Sequence, residues 1–197
     1  MLSDEGLLVS SRGRGTHVLD HPSKSKPEPQ VADLLSSDTT DLEIIILGVE
    51  DIESPPPEML GDAIAFPSYK GITKIHKHDG RPLGLMRICL ADTIFQRLPK
   101  GSIERKRILP MLKNLPAAGS LELKFTITVE PADVVLVEHL RCPLGSPVAR
   151  ILRRAIDSEG RGVYLALSWY RGDMFSFTAS IPNAFLPQLP TGIDGAV

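Results

Sequence analysis

Arg87 is the charged residue whose surroundings point most clearly to chemistry. It lies within the segment 83–90, in which all of the remaining residues are apolar or glycine. A guanidinium in such a strand loses hydration and needs a carboxylate or a ligand anion beside it. The sequence therefore predicts either a ligand contact for Arg87 or an internal ion pair, with Glu122 or Glu138 as the candidate partner.

A second group of polar residues alternates along the segment 121–129. Lys124, Thr126 and Thr128 share one face of the strand that this segment predicts, opposite its apolar residues. A lysine and two hydroxyls together can hold a carboxylate or a phosphate. The alternative is that they form the solvated face of a half-exposed sheet.

Two other sets of charged residues favour structural roles. His76 and His78 share a strand face, but no third ligand accompanies them, so we predict no metal site. Arg150, Arg153 and Arg154 lie in a strand with apolar neighbours. We expect them to form ion pairs on the sheet face or across a dimer interface.

The elements that must position these residues are mostly strands. Short runs rich in β-branched and aromatic residues, bounded by turn-forming residues, predict strands. The strands expected on this basis cover residues 41–50, 71–78, 83–90, 121–129, 148–156, 163–170 and 174–180. The first of them is expected to be buried, and the Asp-Gly pair at 79–80 predicts a tight hairpin.

Helices are fewer and are predicted over residues 91–98, 103–115 and 131–140. Hairpins dominate, and the alternation of strand and helix that a parallel sheet requires is missing from the sequence. The predicted fold class is therefore α+β, an antiparallel sheet with helices on one face.

Composition limits the classes of protein to which the chain can belong. The 197 residues are 42% hydrophobic and 23% charged, with a formal net charge of -2. These values are typical of a globular protein and exclude a chain that is polybasic throughout. Asp4 and Glu5 oppose a signal peptide, and we expect a cytoplasmic protein without a membrane span. Cys89 and Cys142 are expected to be buried, reduced thiols, and no cofactor is predicted.

The N-terminal segment differs in character from the rest of the chain. Residues 1–20 predict the end of a helix followed by a hairpin whose turn, SRGRG, presents Arg12 and Arg14. With Thr16, these residues are the candidate DNA contacts, since an outward guanidinium suits a minor groove or a phosphate. Residues 21–34 predict a proline-rich linker, residues 35–182 the main domain, and residues 183–197 a tail.

Three stretches, in this order along the chain, resemble parts of one family of regulators. LSDEGLLVSSRGRGTHV, near the N-terminus, resembles the end of the winged helix of GntR-family repressors. HDGRPLGLMRICL resembles the first hairpin of the UTRA domain, the effector-binding module of the HutC-type branch. GSPVARILRRAIDSEGRGVYLALSWYRGDMFSF, at 145–177, resembles the C-terminal signature of that domain, and its Y-R-G-D-x-F ending is the most specific part.

This resemblance implies a chorismate-lyase-like fold, a homodimer, and a small-molecule effector that changes the affinity for an operator. It places the strand of Arg87 along the effector cavity and implies that Tyr170 reaches into it, with Arg171 and Asp173 structural. Tyr164 stands where the family commonly carries glutamate. We therefore expect an anionic effector that is not an amino-sugar phosphate, with Arg87, Lys124, Thr126, Tyr164 and Tyr170 as candidate contacts.

The resemblance to the winged helix covers only its end. A complete winged helix needs about fifty more residues upstream, including the helix that reads the major groove. We therefore expect the polypeptide as given to lack base-specific recognition, with DNA contact through the hairpin if the whole winged helix is present. The alternatives are an enzyme resembling chorismate pyruvate-lyase, which would release 4-hydroxybenzoate from chorismate, or a truncated dimerisation or sensor protein.

Overall fold

The computed structural model describes residues 8–11, 15–18 and 42–177, with side chains for 42–177. Near the N-terminus, strands β1 (Leu8–Ser11) and β2 (Gly15–Val18) pair antiparallel, as the sequence predicts. The predicted DNA contacts Arg12 and Arg14 lie outside the described residues, and only the backbone of Thr16 is described. The proposed linker 21–34 and tail 183–197 also lie outside them.

The main domain is built on a six-stranded sheet in the order β3-β4-β5-β8-β7-β6, with every neighbouring pair antiparallel. This arrangement confirms the antiparallel α+β class. Strands β3 and β6 form the two edges, so β4, β5, β7 and β8 are the interior strands. The strands are β3 (Leu42–Ile52), β4 (Tyr69–His78), β5 (Arg81–Ala91), β6 (Glu122–Pro131), β7 (Pro147–Ile156) and β8 (Gly162–Arg171).

The turn between β4 and β5 is the predicted Asp-Gly hairpin. Asp79 and Gly80 both have positive φ, 48° and 74°. Two consecutive residues of this kind give the backbone twist that matches the two flanking strands, and the Asp-Gly dipeptide adopts it readily. The turn pairs His78 with Arg81, and a one-residue register shift after Lys77 then pairs His76 with Gly84 and Lys74 with Met86.

Four short helices pack on the sheet, and they divide between its two faces. Helix α3 packs Ile108 and Leu112 into the cluster that holds Ile88. Helix α4 packs Leu136 into a second cluster with Leu85, which faces the opposite way from Ile88 because alternate residues of a strand point to opposite faces. The helices therefore lie on both faces of the sheet, whereas the sequence predicted them on one face only. They are α1 (Pro57–Leu60), α2 (Asp92–Phe95), α3 (Ile108–Lys113) and α4 (Val134–Leu140), with 3-10 turns at Pro116–Ala118 and Gly172–Met174.

Two predicted helices are shorter than expected for identifiable reasons. The helix predicted over 103–115 begins only at Ile108, because Pro110 has no N–H and is tolerated only in the first turn. The helix predicted over 131–140 begins at Val134, where the carboxylate of Asp133 accepts a hydrogen bond from the Leu136 N–H at 2.8 Å. Such a cap fixes where the helix starts.

Three further predictions at the level of elements differ from the structure. The strand predicted over 41–50 is an edge strand, β3, and is not buried, since Val49 is 46% exposed. The helix predicted over 91–98 is limited to α2, after which turns lead to Pro99. The strand predicted over 174–180 is absent from 174–177, where Met174 ends a 3-10 turn, and residues 178–180 lie outside the described part.

Candidate functional site

Basic and aromatic side chains converge on one face of the sheet, beneath the first turn of α3. Lys74 and His76 from β4, Arg153 from β7, and Tyr164 and Tyr170 from β8 line a common cavity. The register explains this convergence, because directly opposite residues of neighbouring strands share a face: Gly84 pairs with both His76 and Tyr170, so these two side chains lie on the same face. Arg107, Ile108, Leu109 and Pro110 cover the cavity. We call this site the basic pocket.

Lys74 is an ammonium group inside the sheet. Its residue is 1% exposed, and its Nζ has no hydrogen-bond partner among the described residues. Burial, together with the positive charge of Arg107, lowers the pKa of Lys74 to about 8. The ammonium therefore remains mostly protonated near neutral pH, although burial disfavours its charge.

His76 lies two residues further along the same strand face. It is 3% exposed, and neither ring nitrogen has a hydrogen-bond partner within the part of the chain that the structure describes. Burial, followed by the charges of Lys74, Arg107 and Arg153, holds the pKa of His76 well below its usual range. The imidazole is therefore neutral, with one nitrogen able to donate a hydrogen bond and the other able to accept one.

Arg153 is the third buried basic residue, at 5% exposure. Its Nη1 donates to Ser168 Oγ at 3.0 Å and its Nη2 to the Tyr170 hydroxyl at 3.4 Å. The guanidinium also lies 5.7 Å from the centre of the Tyr170 ring. These contacts hold the planar group in place and leave further N–H donors for a ligand, since a guanidinium has five.

Tyr164 and Tyr170 supply the hydroxyls of the basic pocket. Both are buried, and burial raises the pKa of Tyr164 to about 12, so that its hydroxyl stays protonated. The structure thus brings together two of the residues that the sequence proposed as effector contacts. Their role as contacts stays a prediction.

The charge and the size of the basic pocket set what it can hold. No carboxylate is among the described side chains that line it. Among the described residues, the negative charge of the exposed Glu104 raises the pKa of Lys74 and so opposes the larger effect of burial. The free volume is about 30 Å³, which is the space of about one water molecule. The pocket therefore favours an anion electrostatically, and any larger ligand requires the segment 107–110 to move.

Arg87 does not lie in this pocket, and the burial on which its prediction as a ligand or ion-pair contact rested is not observed. It is exposed on the opposite face of the sheet, and its guanidinium lies 5.6 Å from the Trp169 ring. Its neighbours Met86 and Ile88 point to the pocket side, whereas Arg87 points to a part of the other face that is open to solvent. The desolvation argument that suggested a ligand or an ion pair therefore does not apply to it.

Lys124 and Thr126 also lie away from the basic pocket. They belong to the edge strand β6 and are exposed, and Lys124 Nζ lies 3.7 Å from Glu122. The structure therefore matches the alternative of a solvated sheet face. An edge strand whose side chains on one face are uncovered keeps its polar residues hydrated.

The arginines of β7 have three different environments. Arg150 lies 2.7 Å from Glu58 and 3.7 Å from Glu130, which confirms the ion pairing predicted for it. Arg154 donates to the backbone carbonyls of Glu58 and Met59, at 2.9 and 2.8 Å, and so fastens α1 to the sheet. Arg153 is instead part of the basic pocket, contrary to the expectation of a surface ion pair.

Sequence reasoning thus missed four residues of the pocket, namely Lys74, His76, Arg107 and Arg153. The signal lay in the order of the strands. β4 and β7 are interior strands, and a lysine or an arginine there is buried when the face that it points to is covered. Without the strand order, the same residues fit the exposed face of a two-sided sheet equally well.

The remaining sequence expectations concern structural groups. Arg171 and Asp173 form a two-contact ion pair, with distances of 2.9 and 2.6 Å, which agrees with their predicted structural role. Cys89 and Cys142 are buried and free, as predicted. Over the described residues there is no cluster of three metal-ligating side chains. In the same part of the chain, no helix is long and apolar enough to cross a membrane.

Comparison with solved structures shows the same architecture in bacterial transcriptional regulators. YydK of Bacillus subtilis, a possible transcriptional regulator, is 15% identical with a TM-score of 0.65, covering 91% of this chain and 78% of that one. A GntR-family transcriptional regulator of Enterococcus faecalis is 17% identical with a TM-score of 0.57, covering 70% and 99%. The effector domain of PhnF from Mycobacterium smegmatis is 19% identical with a TM-score of 0.55, covering 72% and 87%. At these identities the likeness is one of fold.

A family match identifies the domain more directly. No curated protein sequence matches the chain. The UTRA domain family matches residues 69–176, which extend from the start of β4 to just beyond the Y-R-G-D turn and include the pocket residues Lys74, His76 and Arg153. The predicted resemblance to UTRA is confirmed, while the HutC-type branch stays a prediction. Because the match spans more than half of the 197 residues, the chain belongs to the UTRA domain family.

Proposed function

We propose that this chain is the sensing part of a transcriptional regulator. A small anionic effector binds in the basic pocket, and its occupancy changes the affinity of a homodimer for DNA. The region of the β1–β2 hairpin, with Arg12, Arg14 and Thr16, provides DNA contacts when the whole winged helix is present. The UTRA family match and the regulator fold of the structural neighbours support the class of function.

The observation that carries the proposal is the pair of unbonded basic side chains inside the sheet. Lys74 and His76 present three buried nitrogen atoms without hydrogen-bond partners among the described residues. Leaving such groups unpaired costs stability, because each has given up its hydrogen bonds to water. An anion between Lys74, His76 and Arg153 would supply the missing acceptors and offset the buried charge.

The polar groups of the pocket also narrow the chemistry of the effector. Tyr164 and Tyr170 offer hydroxyls, and Arg153 and Lys74 offer charged donors. A carboxylate, which would bind the ammonium group of an amino sugar, is not among the described side chains that line the pocket. The proposed effector is therefore an anion without an amino group.

The size of the pocket suggests how binding is coupled to DNA. Since the free volume is about 30 Å³, an effector larger than a water molecule must displace Arg107 and the first turn of α3. Binding then selects a second position of α3. A ligand that binds one conformation better than another shifts the equilibrium between them, which is the thermodynamic basis of an effector response.

The experiment that tests the pocket is calorimetric titration with sulfate and with inorganic phosphate. We expect saturable binding to the wild-type chain and a loss of affinity of about tenfold or more in Lys74→Met, the size expected for a lost charge-assisted contact. Lys77→Met is the matched control, because Lys77 lies on the same strand, is only partly buried and pairs with Glu43. Equal affinity in the wild type and in Lys74→Met would refute the proposal.

The DNA half of the proposal is tested by gel shift with promoter DNA, using the chain joined to the rest of a winged helix. We expect Arg14→Ala to weaken binding and the exposed Arg97→Ala to leave it unchanged, and the pocket anion to alter the affinity of the wild type but not that of Lys74→Met. DNA binding that is insensitive to every anion that fills the pocket would contradict the coupling. Turnover of chorismate to 4-hydroxybenzoate would favour the enzyme alternative.

A further inference from the structure

An apolar groove lies beside the basic pocket, on the same face of the sheet. Leu112 on α3, Leu121 and Leu123 at β6, and Ala155 on β7 line this groove, whose volume is about 310 Å³. Leu112 and Ala155 are buried, whereas Leu123 is 38% exposed at the open side. One charged residue, the exposed Lys113, also lines it. We call this feature the apolar groove.

The apolar groove and the basic pocket share a wall. Leu109 and Pro110, in the first turn of α3, line both spaces. The floors are adjacent as well, since Ala155 is the cross-strand partner of Tyr164, and Arg153 lies two residues before Ala155 on the same face. The two spaces are therefore separated by the first turn of α3.

A single displacement of the segment 107–110 would open the basic pocket and connect it to the apolar groove. The basic pocket cannot admit more than about one water molecule unless the segment 107–110 moves, and this segment is the wall that separates it from the apolar groove. Displacement of the wall would join a small cationic end to a larger apolar end. With the groove at about 310 Å³, the joined space falls within the range of roughly 300 to 1,000 Å³ that small-molecule sites occupy.

We propose that the effector is an amphiphilic anion, with its acidic group in the basic pocket and an apolar chain or ring in the apolar groove. This inference rests on the proposed function and specifies its ligand class. The wall that the groove shares with the basic pocket is the reason to assign the groove to the ligand and not to a second copy of the chain. The small side chain of Ala155 leaves the floor of the groove open to the apolar part.

The test is a calorimetric series of n-alkyl phosphates and n-alkyl carboxylates, from two to eight carbons, with inorganic phosphate as the member without a chain. Affinity should rise by roughly fourfold for each added methylene until the groove is filled, as burial of a methylene predicts. Comparison of alkyl phosphates with alkyl carboxylates of equal chain length identifies the acidic group, because the preferred group gives the lower Kd. A chain-length gain in either arm supports the inference.

Two variants test whether the increase in affinity with chain length comes from the apolar groove. Ala155→Leu fills the floor of the groove and should abolish the dependence on chain length while the affinity for inorganic phosphate is kept. Leu123→Ser acts at a partly exposed position, where a smaller side chain leaves the buried side chains in place, and should reduce the gain per methylene. Val129→Leu is the control, since Val129 lies on the same face of β6, is 73% exposed and is not part of the groove.

The outcomes separate this inference from the proposed function. A flat series with phosphate affinity retained overturns the amphiphilic ligand and leaves the anion site intact. Loss of all anion binding, inorganic phosphate included, overturns the proposed function itself. A flat series, together with a dimer that Leu123→Ser converts to a monomer in sedimentation equilibrium, assigns the groove to a second copy and also overturns the inference.

Discussion

The interior of the sheet holds basic groups that the fold alone does not need. Arg153 is satisfied by Ser168 and Tyr170, but Lys74 Nζ and both nitrogens of His76 lack hydrogen-bond partners among the described residues. Buried groups of this kind lower the stability of the fold unless a ligand provides their missing hydrogen bonds. They are therefore the places where stability and binding are expected to change in opposite directions.

Removal of the Lys74 charge should stabilise the empty protein. The pKa of about 8, lowered from 10.5, corresponds to a cost on the order of 3 kcal/mol at pH 7. The cost is fully present below pH 8 and disappears above pH 10.5, because only the protonated form is penalised. Urea denaturation of Lys74→Met at pH 7 should show this gain, and Lys77→Met should change stability by less than about 0.5 kcal/mol. A destabilised Lys74→Met would mean that the ammonium supports the fold.

The same pKa predicts how anion binding depends on pH. Lys74 loses its proton as the pH rises through about 8, so the pocket loses one positive charge. Sulfate keeps its charge over this range, and its affinity should fall about tenfold between pH 7 and pH 9 if charged Lys74 is required. Titration calorimetry at both pH values measures the change. In Lys74→Met the affinity should be the same at the two values, and an equal fall there would assign the effect to another group.

Among single residues, Tyr164 and Tyr170 were proposed as effector contacts from the UTRA resemblance, and both line the basic pocket. Their contact with an effector stays a prediction. Arg87 was misplaced because its strand has apolar residues on both faces. Such a pattern does not show which face is exposed to solvent. Lys74 and Arg153 were missed because their burial depends on covering elements that are distant in sequence, namely the segment 107–110.

Among the elements, α4 depends on its N-terminal cap. The Asp133 carboxylate accepts the Leu136 N–H at 2.8 Å, and α4 fills one side of the sheet through Leu136 and Leu140. Asp133→Ala should therefore lower the free energy of unfolding by about 1 kcal/mol, the usual contribution of such a cap. Chemical denaturation measures it, with the exposed Glu138→Ala on the same helix as the control. Equal stability of the two variants would show that the cap contributes nothing.

Strands were predicted better than helices, for a physical reason. The β4–β5 and β7–β8 hairpins follow from local turn chemistry and alternation, and both are present in the structure. The helices have only four to seven residues, too short to be stable by their own propensity, so tertiary packing sets their ends. Pro110 was the one local signal that would have shortened the predicted helix 103–115.

For the whole molecule, ligand binding should appear as stability. An anion that binds only the folded chain stabilises it by about 2.7 kcal/mol when its concentration is a hundred times Kd. For a chain of this size the midpoint of thermal unfolding should rise by several degrees. Differential scanning fluorimetry with sulfate should show this rise in the wild type and its loss in Lys74→Met. An identical rise in both would indicate a general salt effect.

The fold class was within reach of the sequence, whereas the arrangement of helices was not. Successive hairpins dictate an antiparallel sheet, and the UTRA resemblance agreed with it. The order β3-β4-β5-β8-β7-β6 brings β5 beside β8, across some eighty residues of chain, and no local pattern encodes that contact. The distribution of α3 and α4 over opposite faces follows from the same long-range pairing.

An anion inside the sheet, beside Lys74 and His76, should change the surroundings of the His76 ring nitrogens. Nitrogen NMR of histidine-labelled protein reports on these atoms, with the signals of His76 assigned among the five histidines by His76→Gln. We predict that sulfate shifts both ring nitrogens of His76 saturably, with the Kd found by calorimetry, and leaves those of His78 unchanged. Ring signals of His76 that stay constant while calorimetry reports a saturated site would contradict the account.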